Sequence, residues 1–266
     1  MPLTVAAPAA LAGLSYLNAK TSFWYDWLML RSVVPSRFLV WYRERNDRLN
    51  AFYILEKHAL DKATSSVTFL KFEGRSYTYA DAYDIVLRYG AWLRKEHGVK
   101  SKDIVAMDFE NSDTFVFLWF GLWSIGAKPA FINFNLTGGV LVHCVKAATT
   151  SLLLVDPNVA HMVTDEVRSE LDSVRIVTLT PELEREVLAT EPVRAPDGDR
   201  TDPLGQNMAV LIYTSGTTGM PKPAIMSWTK TILGGAFVTR WLGWKAGDVF
   251  YTVSTTSLHN PTVQRS

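Results

Sequence analysis

Residues 214–222 read Thr-Ser-Gly-Thr-Thr-Gly-Met-Pro-Lys, so four hydroxyls, two glycines and one lysine fall within nine positions. That set suits a polyphosphate. Glycines let backbone N–H groups come close to phosphate oxygens, short hydroxyls donate to them, and Lys222 supplies a point charge on a long stem. The apolar run Val210, Leu211, Ile212 and Tyr213 just before it reads as a strand, and open α/β sheets bind ligands beyond the carboxyl ends of their strands. The spacing is not that of a Walker A loop, Gly-x4-Gly-Lys-Ser/Thr. Lys222 lies three residues past Gly219 with Pro221 between them, and Pro223 stands where a hydroxyl would follow. Pro221 also prevents a helix from running straight out of the loop. A Ser/Thr/Gly turn without a ligand is the alternative reading. The expected phosphate-binding residues are Thr214, Ser215, Gly216, Thr217, Thr218, Gly219 and Lys222.

Other reactive residue types are sparse. Cys144 is the single cysteine, which excludes an internal disulfide framework and favours a reducing compartment. His143 beside it lies on a helical pattern, where neighbours i and i+1 do not face each other. The pair is therefore read as core packing or a structural hydrogen bond, not a Cys–His nucleophile. His58, His97 and His161 have no zinc-like spacing, so no metal ligand is expected from this chain. Glu182, Glu184, Arg185 and Glu186 read as a solvated face. With Lys+Arg 27 against Asp+Glu 26, the net charge of +1 gives no global field for nucleic acid or anionic lipid. Hydrophobic residues at 48% and charged residues at 20% exclude intrinsic disorder and collagen-like repeats.

Strand and helix patterns alternate ahead of the loop. Residues 67–77 form a hairpin around Glu73-Gly74-Arg75. Thr78 and Asp81 make a capping box for a helix that runs to about Glu96 and stops at Gly98. Residues 104–109, 129–133, 151–155, 174–179 and 208–213 read as strands. Between them lie helices over residues 113–126, capped by Asn111 or Ser112, 138–148, capped by Thr137, and 160–171. Residues 181–206, with Pro181, Pro192, Pro196 and Pro203, read as a surface connection. Trp241 and Trp244, beyond Thr229, are assigned to the core. The alternation predicts an α/β fold with a mostly parallel sheet flanked by helices.

Residues 2–17 are apolar but lack the basic n-region of a signal peptide, and the run is shorter than the ~20 residues of a spanning helix. Phe23, Trp24, Tyr25, Trp27, Leu28, Met29 and Leu30 follow, interrupted by Asp26 and Arg31. Aromatics beside short apolar runs suit a membrane interface; an arm packed on the domain is the other reading. Residues 115–125 are too short to span and read as a core helix.

The segment Tyr213–Lys222, YTSGTTGMPK, resembles the nucleotide-binding signature of the adenylate-forming (AMP-binding) enzymes. Ile132-Asn133-Phe134-Asn135-Leu136-Thr137 with Leu141-Val142-His143-Cys144 is similar to a segment of their fatty acid transport protein/very-long-chain acyl-CoA synthetase branch. Residues 48–53 look like its fungal members. The resemblance implies a partial N-terminal domain of the adenylate-forming fold. It implies a two-step acid–thiol ligation: a fatty carboxylate attacks ATP to give acyl-adenylate, and coenzyme A displaces AMP, with Mg2+ as metal. The seven loop residues would then hold the β- and γ-phosphates, and no complete catalytic set lies in the chain.

Family members are more than twice as long, so the chain is read as three parts. Residues 1–45 are a membrane-associating arm, 46–253 a partial AMP-binding domain, and 254–266 a tail that departs from the family pattern. A Leu-Tyr-His coding stretch read one nucleotide late gives Ser-Thr-Thr, the order at residues 254–256, so a frameshift or mis-spliced gene is expected there and His259 is not the family histidine. The expectation is fatty acid activation linked to uptake, by a fragment that is inactive or binds nucleotide weakly. One rival is a non-catalytic, membrane-docked lipid-handling or regulatory module that associates with a full-length synthetase; another is an aryl or amino acid ligase. Expected partners are fatty acid, ATP and a membrane surface, with no nucleic acid. The expected location is intracellular, at the endoplasmic reticulum, peroxisome, lipid droplet or plasma membrane.

Overall fold

The computed structural model describes residues 3–214 and 219–251. Two helices lead in, α1 (Leu3–Thr21) and α2 (Phe23–Arg45), joined at Asn18, whose side chain accepts from the Trp24 N–H at 2.7 Å. Among the described residues no helix is long and apolar enough to cross a membrane. α2 carries the small buried residues Ser32 and Ser36 and the buried Val40. Asn50 then turns the chain into α3 (Phe52–Leu60), accepting from the Phe52 N–H and donating to the Trp123 carbonyl.

The hairpin of β1 (Thr68–Phe72) and β2 (Arg75–Thr78) turns through Glu73 and Gly74, both at positive φ, as its twist requires. Thr78 and Asp81 form the expected reciprocal cap of α4 (Tyr79–His97), which ends at left-handed Gly98. The alternation continues with β3 (Ile104–Asp108), α5 (Asp113–Ser124, capped by Ser112), β4 (Lys128–Ile132), α6 (Gly138–Ala147) and β5 (Leu152–Val155). Thr137 stands at the start of α6 but makes no side-chain capping bond.

The expected helix over residues 160–171 is two pieces, a 3-10 turn (Ala160–Met162) and α7 (Asp165–Glu170), because the Thr164 side chain caps a fresh start. After β6 (Arg175–Thr178), the segment read as a surface connection contains α8 (Pro181–Ala189) and a 3-10 turn (Asp197–Arg200). Pro181 opens α8 at a position where its missing N–H has no cost, with Thr180 as the cap. Glu184 is not merely solvated: it accepts from the Thr114 hydroxyl at 2.6 Å and the Tyr89 hydroxyl at 3.2 Å.

β7 (Met208–Thr214) is followed by an unexpected strand, β8 (Lys222–Ser227), and then α9 (Trp228–Leu242). The sheet order is β6-β5-β3-β4-β7-β8, parallel except for β8, which lies antiparallel on β7. β5 is buried along its whole length. One core layer joins α3, α4, α5 and the start of α9 around Val86, Leu93, Leu118, Trp123 and Trp228. The other joins α6 and α7 around Leu141, Val145, Leu153 and Val167. α4 and α5 cross closely at Gly90 and Gly121, where a Cβ on Gly121 would lie 2.7 Å from the Cβ of Tyr89. α5 is the core helix expected of residues 115–125. Trp241 and Trp244, expected in the core, are instead 48% and 37% exposed.

Candidate functional site

The carboxyl ends of β3, β4, β5 and β7 share one edge of the sheet, and Thr214 ends β7 there. Thr214 pairs with Lys222 across the β7–β8 ladder, and its Oγ1 donates to the Lys222 carbonyl at 3.5 Å. The loop is therefore the turn of a hairpin, not a strand-to-helix turn. Pro221 is compatible with this, and the antiparallel β7–β8 pairing decides it.

Gly219 has φ +87°, a left-handed conformation open to glycine, and a Cβ built there would meet nothing within 4 Å. Thr214, Gly219 and Lys222 are exposed. Among the described residues Lys222 has no carboxylate partner. Ser215, Gly216, Thr217 and Thr218 lie outside the described residues. An exposed hydroxyl, a glycine with open space around it and an ammonium without a carboxylate partner among the described residues, at a strand's carboxyl end, fit a phosphate chain.

Both ends of the loop are tied to α6. The Tyr213 hydroxyl donates to the Cys144 carbonyl at 2.6 Å, and His143 Nε2 lies 3.0 Å from the Pro221 carbonyl. Since a carbonyl only accepts, that bond requires the Nε2–H tautomer. His143 thus makes the structural hydrogen bond expected of it. Its partner, 78 residues away, is not marked by any local signal in the sequence. Burial pushes the Tyr213 hydroxyl well above its ordinary range. Cys144 is fully buried, and burial followed by the charge of Asp108 pushes its thiol up to about 11. It remains a thiol, which removes it as a nucleophile.

Two further groups sit on this edge: Asp108, which went unnoticed in the sequence, and Asn133, which the sequence had already singled out. Asp108 ends β3 with 0% exposure, and neither carboxylate oxygen has a hydrogen-bond partner. Burial, and then the charge of Asp156, raise it to about 7. Asn133 follows β4 in a tight turn, its Oδ1 accepting from the Asn135 backbone at 3.0 Å. An Asp in an otherwise apolar strand was the available signal for the first. Among the described residues, no group of three or more His, Cys, Asp or Glu side chains is placed to hold a metal.

An open, mostly parallel sheet flanked by helices, with residues 214–222 at the carboxyl edge of an inner strand, defines an open α/β domain. The family described as AMP-binding enzyme matches residues 55–259, and the chain belongs to that family, in its fatty acid transport protein branch. It is 33% identical over 235 residues to the "Very long-chain fatty acid transport protein" of Saccharomyces cerevisiae, covering 82% of this chain and 35% of that one. It is 29% identical to the protein of the same description from Cochliobolus heterostrophus, covering 95% and 39%. The chain thus spans little more than a third of these relatives.

Solved structures share the fold. VinN aligns with a TM-score of 0.62 at 21% identity, over 74% of this chain and 48% of that one. The Mycobacterium tuberculosis fatty acyl CoA synthetase aligns with a TM-score of 0.58 at 18% identity, over 68% and 35%.

Proposed function

We propose that this chain is the phosphate-gripping part of an AMP-forming, long- or very-long-chain fatty acid–CoA ligase. The observation that carries the proposal is the end of the β7–β8 ladder at the carboxyl edge of the sheet, with Thr214 and Lys222 exposed there. The names of the yeast and Mycobacterium tuberculosis relatives support fatty acid as the acid and CoA as the acceptor. ATP supplies the phosphate chain, with Mg2+ accompanying it.

The chain's own residues position this group. Backbone and hydroxyl donors of residues 214–219 hold the β- and γ-phosphates, and Lys222 offsets charge on the departing pyrophosphate. α6 keeps the loop at the sheet edge through His143 and Tyr213. The 266 residues alone bind nucleotide weakly and do not complete thioester formation. In a full-length relative, Thr217→Ala combined with Lys222→Ala is expected to abolish fatty-acid-dependent pyrophosphate exchange. Retained exchange refutes the assignment.

A second reading is a membrane-docked, non-catalytic lipid-handling module, acting at an intracellular membrane beside a full-length synthetase. It is favoured by the exposed aromatics of the arm, among them Trp24 at 62%, Tyr25 at 73% and Phe38 at 63%. Its test is co-purification with a synthetase, with no pyrophosphate exchange of its own.

A further inference from the structure

Asp108 is the last residue of β3. Its neighbours at the same level are Ile132 of β4 and Val155 of β5, and both belong to the apolar layer beneath α6. Side chains level with one another on parallel strands point to the same face. The Asp108 carboxyl therefore enters that layer, where its charge reaches Cys144 of α6. It is fully buried, and neither oxygen has a hydrogen-bond partner.

The groups around it bring no counter-charge. α6 contributes the Cys144 thiol, which stays protonated, and His143, whose ring is committed to the Pro221 carbonyl. β7 contributes Tyr213, whose hydroxyl donates to the Cys144 carbonyl. α7 contributes the apolar Val167. Beyond β5 stands Asp156, itself acidic and itself acted on by Glu110 and Glu184. Among the described residues no lysine, arginine or histidine pairs with Asp108. A carboxyl without donors in an apolar layer favours its neutral form. It titrates at about 7, so a modest change in local potential changes its protonation at neutral pH.

That layer extends to the phosphate loop. The strands run β3-β4-β7 in the sheet. Asp108 is level with Ile132, and Ala130 is level with Leu211, so Tyr213 falls beside Ile132 and Thr214 just beyond it. Two strand spacings, roughly 10 Å, separate β3 from β7. Buried side chains and α6 fill that side of the sheet. Across roughly 10 Å of protein, one added negative charge strengthens a carboxyl's hold on its proton by about tenfold.

We propose that the loop binds its anion together with a proton, which Asp108 takes up as a phosphate chain seats beyond β7. The carboxylate and one proton from solvent become the carboxyl, and the proton returns to solvent when the phosphates leave. By reciprocity, phosphate binding weakens as pH rises past neutrality. The ligand's identity rests on the phosphate reading above; the buried, unpartnered carboxyl does not.

Carbon-13 NMR of the aspartate carboxyls in the full 266-residue chain reads the Asp108 midpoint, with Asp108→Asn assigning its resonance. Asp108→Leu, matched to the apolar layer, assigns it if the Asn variant does not fold. Saturating inorganic tripolyphosphate is expected to raise the midpoint by about one pH unit. Adenosine, which has no phosphate, is expected to leave it unchanged. Lys222→Ala is expected to remove the shift at the same tripolyphosphate concentration.

Phosphorus-31 NMR reports the binding itself. Between pH 6.5 and 8.5 the affinity of the unmodified chain is expected to fall about fivefold more than that of Asp108→Asn or Asp108→Leu. Titration of tripolyphosphate itself is common to these proteins and cancels. An unmoved midpoint with tripolyphosphate bound, or equal pH dependence in the unmodified chain and the variant, overturns this proposal and leaves the phosphate loop standing. Absence of tripolyphosphate binding at every pH overturns both.

Discussion

Asp108 shows how one buried side chain couples stability to pH. Its folded pKa of about 7 lies above an unfolded value near 4. The folded state therefore keeps a proton that the unfolded state releases. Stability from this group is fully present below about pH 4, falls as pH rises, and is lost above about pH 7, at about 1.4 kcal/mol per unit. Asp108→Asn should flatten that slope and raise stability at pH 8 by about 2–4 kcal/mol. Urea denaturation of both proteins at pH 5 and pH 8 measures it, and identical slopes would contradict the account. The same residue illustrates a limit of sequence reading: Ile-Val-Ala-Met-Asp marks a strand, yet whether its terminal carboxyl meets solvent depends on helices packed from elsewhere.

Elements were legible where local chemistry decides them. The Thr78–Asp81 cap, the Glu73-Gly74 turn and the continuously apolar β5 each have a short-range cause. β8 was not legible, because Pro223 breaks a strand pattern. It is tolerated there because β8 is the sheet edge. Pro181 misled in the opposite sense, since a proline opens a helix as readily as it ends one.

Gly126 tests the junction between α5 and β4. It sits at φ +79°, and a Cβ there would fall 1.9 Å from the Asp199 carbonyl oxygen. Gly126→Ala should cost about 2–4 kcal/mol. Gly138→Ala, at φ +51° with open space around it, should cost nearer 1 kcal/mol. Thermal unfolding of the two variants ranks them, and the reverse order would refute the packing described for the Asp199 turn.

At the scale of the whole molecule, Asp202 joins distant parts of the chain. It forms a buried ion pair with Lys128 of β4 and accepts from the Trp228 indole at 2.6 Å and the Asn207 amide at 2.9 Å. Asp202→Ala leaves Lys128 buried without its counter-charge and should cost about 3–5 kcal/mol. Chemical denaturation reads this directly; a loss under 1 kcal/mol would show that the pair adds little. Asp202 lies in the stretch read from sequence as a surface connection, and nothing local announces its partners, 26 and 74 residues away.

The order of residues alone determined the strand–helix alternation, the caps and turns, and the phosphate-type loop, because each follows from backbone conformation and side-chain chemistry within a few neighbours. Tertiary structure decided that β7 and β8 pair as a hairpin tied to α6, and that Asp108 is sealed from water. Those outcomes depend on which surfaces meet, and burial, partner and electric field are properties of the meeting and not of either segment.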